Sequence, residues 1–182
     1  MFRTGRHDAG VLAIAASVAL VYAQSLGHQF VDYDDYIYFV DNAFLDQDFS
    51  GEDFVAAFTQ THVANWSPVT TLSIMLADAV HGPDPAAYLL TNLILHFISS
   101  ALLFLTLMRM TGAFLPSFWV GLVFALHPLH VESVAWISER KDVLSTFFGL
   151  ISLWTYSCYL QRGAKKWYLA ALLTFVLSLL SK

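Results

Sequence analysis

Five long apolar runs, separated by short polar breaks, leave this chain few folds other than a set of helices that cross a membrane. They are Ala9–Leu26, Ala86–Met108, Met110–Leu126, Val143–Leu160 and a last run from Trp167 that extends to Lys182. Backbone polar groups in a bilayer must be satisfied within the segment, which requires a helix, and a helix rising about 1.5 Å per residue needs about 20 apolar residues to cross the core. The second run meets that length comfortably; the third is short and contains Pro116. With 57% hydrophobic and only 13% charged residues, the chain is too apolar for an ordinary soluble domain. The first run follows Arg3 and Arg6, as a signal peptide would, but Tyr22-Ala-Gln-Ser-Leu26 is a poor cleavage site. It reads as a retained anchor. The single Cys158 excludes an intrachain disulfide, and the acidic balance gives no basis for binding nucleic acid.

Charge orients these spans. Arg3 and Arg6 precede the first, Arg109 joins the second to the third, and Arg162, Lys165 and Lys166 join the fourth to the fifth. These sites alternate onto one side, which the positive-inside rule makes cytoplasmic. The expected protein is therefore multi-pass, with its N-terminus inside and loops 27–85 and 127–142 outside. The first outer loop holds ten acids and no Lys or Arg.

Its 59 residues are too many for an idle connector. Phe30-Val-Asp-Tyr-Asp34-Asp35-Tyr-Ile-Tyr38 opens it, and the alternation with aromatics predicts an extended stretch whose neighbouring side chains diverge. Only one of Asp34 and Asp35 would then face a shared site. Adjacent carboxylates raise each other's cost of ionisation, which suits a general base. The same residues also suit a solvated turn or a helix cap. Further on, Glu52–His62 and Ser67–Val80 carry apolar residues at helical spacing, and Pro68 fits a first helical turn. Both read as short amphipathic helices at the membrane surface.

Within the second span, Asn92 and His96 share a helical face and suit hydrogen bonds to a neighbouring helix. The second outer loop is the most polar interruption: seven ionisable side chains occur in the sixteen residues His127–Asp142. Such groups persist in a membrane protein only in water, against protein, or at a working site. Pro128 ends the third span. A short helix from Val131 would align Glu132, Trp136, Glu139 and Arg140, with Asp142 capping the fourth span. Arg140 and Lys141 break the positive-inside pattern, which suits either a bound anion such as phosphate or snorkelling to lipid headgroups. His127, His130 and Glu132 are of the right types for a divalent metal but match no fixed ligand spacing.

Several segments carry a family resemblance: Phe30–Ile37, Asn65-Trp-Ser-Pro68, Tyr88–His96 and, above all, His127–Ser145. From about Phe30 to Lys182 the chain resembles the membrane part of bacterial proteins that couple a type C glycosyltransferase-like domain to TPR repeats. These are similar to the transmembrane-and-TPR-containing protein O-mannosyltransferases of animals. The resemblance implies an all-α polytopic bundle with catalytic acids in the first outer loop, in a bacterial inner membrane. It implies transfer of a sugar from a polyprenyl-phosphate donor to an acceptor hydroxyl, on protein, with inversion. An Asp of the Asp34-Asp35 pair would be the base. Arg140, Lys141, His127 or His130 would face the leaving lipid phosphate, Glu139 would line the same site, and Glu132 would position a metal or the acceptor. Further spans and TPR repeats would follow Lys182 in a full-length relative. A non-catalytic scaffold of the same fold is the main alternative. A transporter is disfavoured, because the ionisable groups cluster at the outer edge rather than at mid-membrane.

Overall fold

The computed structural model describes residues 4–40, 50–61 and 65–182, and they form helices with no β-strand among them. The first span is α1 (Thr4–Tyr22), which tightens into a 3₁₀ turn over Ala23–Gly27. The first outer loop supplies α2 (Gly51–Thr59) and α3 (Pro68–His81). Then come α4 (Pro85–Thr111), α5 (Phe114–Leu126), the five-residue α6 (Val131–Ala135), α7 (Arg140–Arg162) and α8 (Lys165–Leu179).

Local chemistry sets most of these boundaries. Asp84 caps α4 by accepting from the Ala86 N–H, and Pro85 supplies a preset first turn. At its far end Gly112 adopts a left-handed conformation (φ 70°) that a side chain would disfavour, and Gly163 does the same after α7. In α2 the Ser50 and Asp53 side chains cap each other's backbone N–H, and these bonds hold the Asp53 carboxyl below the usual carboxylate range. Ser67 precedes α3 with Pro68 at its first position. These two surface helices match expectation, except that α2 stops at Thr59; His62 lies outside the described residues.

The span count differs from the five expected. Three helices are long and apolar enough to cross a membrane, or four if α5 and the Pro128–Ala135 segment are one span bent by 49°. The bend falls at Pro128, where His127 leaves helical geometry (ψ 131°). α8 pairs with α7 as a hairpin. The protein is an all-α membrane bundle.

α4 is the hub, packing against α1, α5 and α7. Its Phe104 is fully buried with Ile14 and Val18 of α1 and Ala125 of α5. Small residues make the approach close: a Cβ at Gly121 would lie 2.8 Å from Phe104 Cβ. Hydroxyls join α7 to α8, where Ser145 Oγ donates to Ser178 O (3.0 Å) and Ser178 Oγ to Ser145 O (2.8 Å). A second apolar cluster (Phe39, Ile74, Tyr88, Leu89 and Ile137) joins the first outer loop to the ends of α4 and α7.

Both outer loops depart from their expected conformations. Phe30–Tyr38 is not an extended strand-like stretch. It turns at Asp32-Tyr33 and becomes helical from Asp34, with a π-helical turn over Tyr36–Val40. Phe30 stacks on Phe39 (6.0 Å), so the segment folds back on itself. The helix expected from Val131 breaks at Trp136 (φ −117°, ψ 128°), gives a 3₁₀ turn over Ile137–Glu139, and restarts as α7 at Arg140. Glu132, Trp136, Glu139 and Arg140 therefore do not share one helical face. Asp142 lies inside the first turn of α7 rather than at its cap.

Candidate active site

The two outer loops meet at Asp35. This residue is wholly buried, and its carboxylate accepts the Ser138 N–H (3.1 Å), the Ser138 hydroxyl and the Val31 N–H (2.9 Å). Three donors on two oxygens offset the loss of water on burial. The Val31 bond tightens the turn that starts the helical segment, and the Ser138 bonds pin that turn to residues 103 positions away. Asp34 comes next on the same turn, roughly 100° around the axis. It is half-exposed, with no hydrogen-bond partner among the described residues. One acid of the pair is therefore locked and the other open. Beside them Tyr33 faces Trp136 (6.1 Å between rings), whose indole N–H is buried without a partner among the described residues.

Arg140 is also fully enclosed. Its Nε donates to Asn92 Oδ1 (3.1 Å), Nη2 to Tyr88 O (2.9 Å) and Nη1 to Ser73 O (3.3 Å), with the guanidinium 5.3 Å over the Tyr88 ring. Asn92 Nδ2 in turn donates to Trp136 O (3.2 Å), holding open the break between α6 and α7. The guanidinium is thus committed to protein acceptors on α3 and α4, and the surface cation of this loop is Lys141. Lys141 pairs with Glu139 at 3.0 Å, both partly buried.

The remaining candidates lie apart from this junction. Glu132 is exposed on α6. His127 is exposed, and its Nδ1 accepts the Leu129 N–H (3.2 Å). His130 is half-buried against Phe124 (4.5 Å) and His96 (5.6 Å). His96 Nε2 donates to the Ala125 carbonyl (2.9 Å), tying α4 to α5 as Asn92 ties α4 to the second outer loop. Among the described residues no group of three His, Cys, Asp or Glu side chains is placed to hold a metal. His127, His130 and Glu132 do not converge as a ligand set.

Sequence reasoning missed Ser138, the anchor of Asp35, and the carbonyls of Ser73 and Tyr88 that hold Arg140. Ser138 lies inside the polar motif, but nothing in its spacing marks it. The carbonyls carry no sequence signal at all.

No family model and no solved structure matches the chain. Curated proteins do. Protein O-mannosyl-transferase TMTC2 of Mus musculus is 36% identical over 106 residues, 58% of this chain and 12% of its own length. Protein O-mannosyl-transferase TMTC1 of the same species is 30% identical over 177 residues, 88% of this chain and 18% of its own. Protein O-mannosyl-transferase Tmtc1 of Drosophila melanogaster is 28% identical over 181 residues, 94% of this chain and 20% of its own. The chain spans about a fifth or less of the length of these relatives. In sequence the chain is similar to these curated protein O-mannosyl-transferases.

Proposed function

We propose that this protein is part of a membrane glycosyltransferase that moves a sugar, mannose by the names of its relatives, from a polyprenyl-phosphate donor to a protein hydroxyl. The observation that carries the reading is the asymmetry of the acid pair. Asp35 is spent on joining the loops, which leaves Asp34 beside it as an open carboxylate. In this reading Asp34 takes the proton from the acceptor hydroxyl as that oxygen attacks the anomeric carbon. The bond from that carbon to the phosphate oxygen breaks, polyprenyl phosphate leaves, and the anomeric configuration inverts. The Trp136 indole N–H supplies an uncommitted donor for a substrate oxygen, and Lys141, the partly exposed cation of the second outer loop, would face the departing phosphate.

The test is mannose transfer from polyprenyl-phosphate mannose to a Ser/Thr peptide by the full-length protein in liposomes. Asp34→Asn should lower kcat by a factor on the order of 10² to 10⁴, the usual yield of a positioned base. It should leave the unfolding midpoint unchanged. Wild-type rates in the Asp34→Asn, Asp35→Asn double variant would remove the base from the mechanism.

A further inference from the structure

At the end of the bundle where α1 starts and α4 stops, far from the acid pair, α1, α4 and α7 enclose a cavity of about 170 Å³. Leu105 and Met108 of α4 give it apolar walls, and His7 of α1, Arg109 of α4 and Trp154 of α7 complete the lining. Arg109 stands in the last turn of α4, its guanidinium 5.2 Å over the Trp154 ring. Its Nε is buried without a hydrogen-bond partner, and no ion pair among the described residues includes it. The bond that Arg109 makes to α7 uses its carbonyl, which accepts from Gln161 Nε2 (3.3 Å). Arg140, by contrast, spends its guanidinium on three protein oxygens. A partly buried guanidinium without an acceptor has given up water for nothing, which is costly unless an anion completes it.

The surroundings favour an amphiphilic anion. No acid lines the cavity, and Asp8, next to His7 in sequence, is exposed. The planar fork of N–H groups matches two oxygens of a phosphate, and the Trp154 ring holds its plane. A free phosphate would lose hydration against Leu105 and Met108. A phosphodiester that carries acyl chains gains from the same walls. With no carboxylate in the lining, the cation of a zwitterionic headgroup would find no partner, so the fit is to a headgroup with net negative charge. The cavity also lies at the cationic end of the spans, where lipid headgroups meet helix ends. The other cations at this end are engaged elsewhere. Arg6 lies over Phe114, Arg162 and Lys166 lie over Trp167, and none of them lines the cavity.

We propose that this cavity binds an anionic phospholipid, its phosphodiester on Arg109 and the start of an acyl chain against Leu105 and Met108. Lipid bound there joins the ends of α1, α4 and α7. The site stands apart from the glycosyl-transfer reading and does not rest on it.

The probe is phosphatidylglycerol with a diazirine on its headgroup, photolysed with the full-length protein in phosphatidylcholine nanodiscs. Adducts should concentrate on residues 105–109 and on the turn of α7 around Trp154. Unlabelled phosphatidylglycerol should compete them away, and added phosphatidylcholine or inorganic phosphate should not. Arg109→Gln should cut labelling about tenfold, the loss of a charge-assisted hydrogen bond. In lipid-free detergent the same variant should unfold close to the wild-type temperature, because the guanidinium bonds no protein oxygen. Arg162→Gln removes a charge from the same end and should leave labelling unchanged. Leu105→Trp keeps the charge, fills the cavity and should lower labelling as strongly as Arg109→Gln does. Labelling that survives Arg109→Gln would overturn the proposal. So would equal losses in Arg109→Gln and Arg162→Gln, which would show attraction to the rim as a whole. Competition by inorganic phosphate would assign the cavity to a free anion and overturn the lipid. Early unfolding of Arg109→Gln, with no wild-type adducts at 105–109, would put an acid of the protein itself on Arg109 and overturn it too.

Discussion

Arg140 is a cation enclosed by neutral acceptors. No carboxylate pairs with it among the described residues, and its charge is offset by three oxygens and the face of Tyr88. Those oxygens come from Ser73 on α3 and from Tyr88 and Asn92 on α4, so one planar group ties the surface helix α3, the hub α4 and the start of α7. A lysine carries the same charge but only one nitrogen, on a stem that cannot reach three directions at once. Arg140→Lys is therefore expected to cost about 2 kcal/mol, and Arg140→Ala about 3–5 kcal/mol, by leaving buried acceptors unpaired. Asn92→Ala should cost less, and the Arg140→Ala, Asn92→Ala pair should cost clearly less than the sum, because both belong to one network. Unfolding midpoints in mild detergent read the order. A lysine variant as stable as wild type would show that charge alone, not the fork of donors, holds the junction. Arg140 also shows what a sequence hides. Its type and position suggest an anion held at the surface, but two of its three acceptors are the backbone oxygens of Tyr88 and Ser73.

At the scale of elements, Gly121 and Gly10 both face Phe104, yet they should respond differently to a methyl group. A Cβ at Gly10 would meet the far end of the Phe104 ring (2.8 Å), which can swing aside. A Cβ at Gly121 would meet Phe104 Cβ at 2.8 Å and its Cα at 3.4 Å, atoms fixed to the α4 backbone. Alanine is the better helix former by about 1 kcal/mol, so Gly10→Ala should come out near neutral. Gly121→Ala should push α5 from α4 and cost about 1–3 kcal/mol despite that propensity. Equal stability in the two variants would mean that the α4–α5 contact is looser than it stands here. The helices themselves were largely legible: apolar runs placed the spans, Ser67-Pro68 began α3, and Pro128 stopped α5. The His127–Asp142 segment was not. Its breaks are imposed by Asn92, 44 residues from Trp136, and by Asp35, 103 residues from Ser138, and local periodicity carries no information about either partner. The same long-range bond decides which acid is locked. The sequence showed the pair Asp34-Asp35, and only the placement of Ser138 distinguishes its members.

The whole molecule has two chemically different ends. Arg6 lies over Phe114 (5.6 Å), Arg109 over Trp154 (5.2 Å), and Arg162 and Lys166 over Trp167, so the starts of α1, α5 and α8 and the ends of α4 and α7 form one cationic rim. The opposite end holds the acid pair, α3 and the second outer loop. Three cations at that end break the charge rule on paper, but none is free. Arg140 is enclosed, Lys141 is paired with Glu139, and Lys182 is paired with Asp142. Among the described residues the unpaired positive charge is thus concentrated on one face, and the positive-inside bias predicts that this face is cytoplasmic. Cysteine accessibility tests this directly. The native Cys158 is 2% exposed and should give almost no background. Leu129 is 80% exposed beside His130, and Lys165 is exposed on the cationic rim, so a cysteine at either position should be tolerated. In intact cells a membrane-impermeant maleimide should label Leu129→Cys at once and Lys165→Cys only after permeabilisation. The reverse pattern would put the acid pair in the cytoplasm, and the acceptor proteins of the proposed transfer would then have to be sought there.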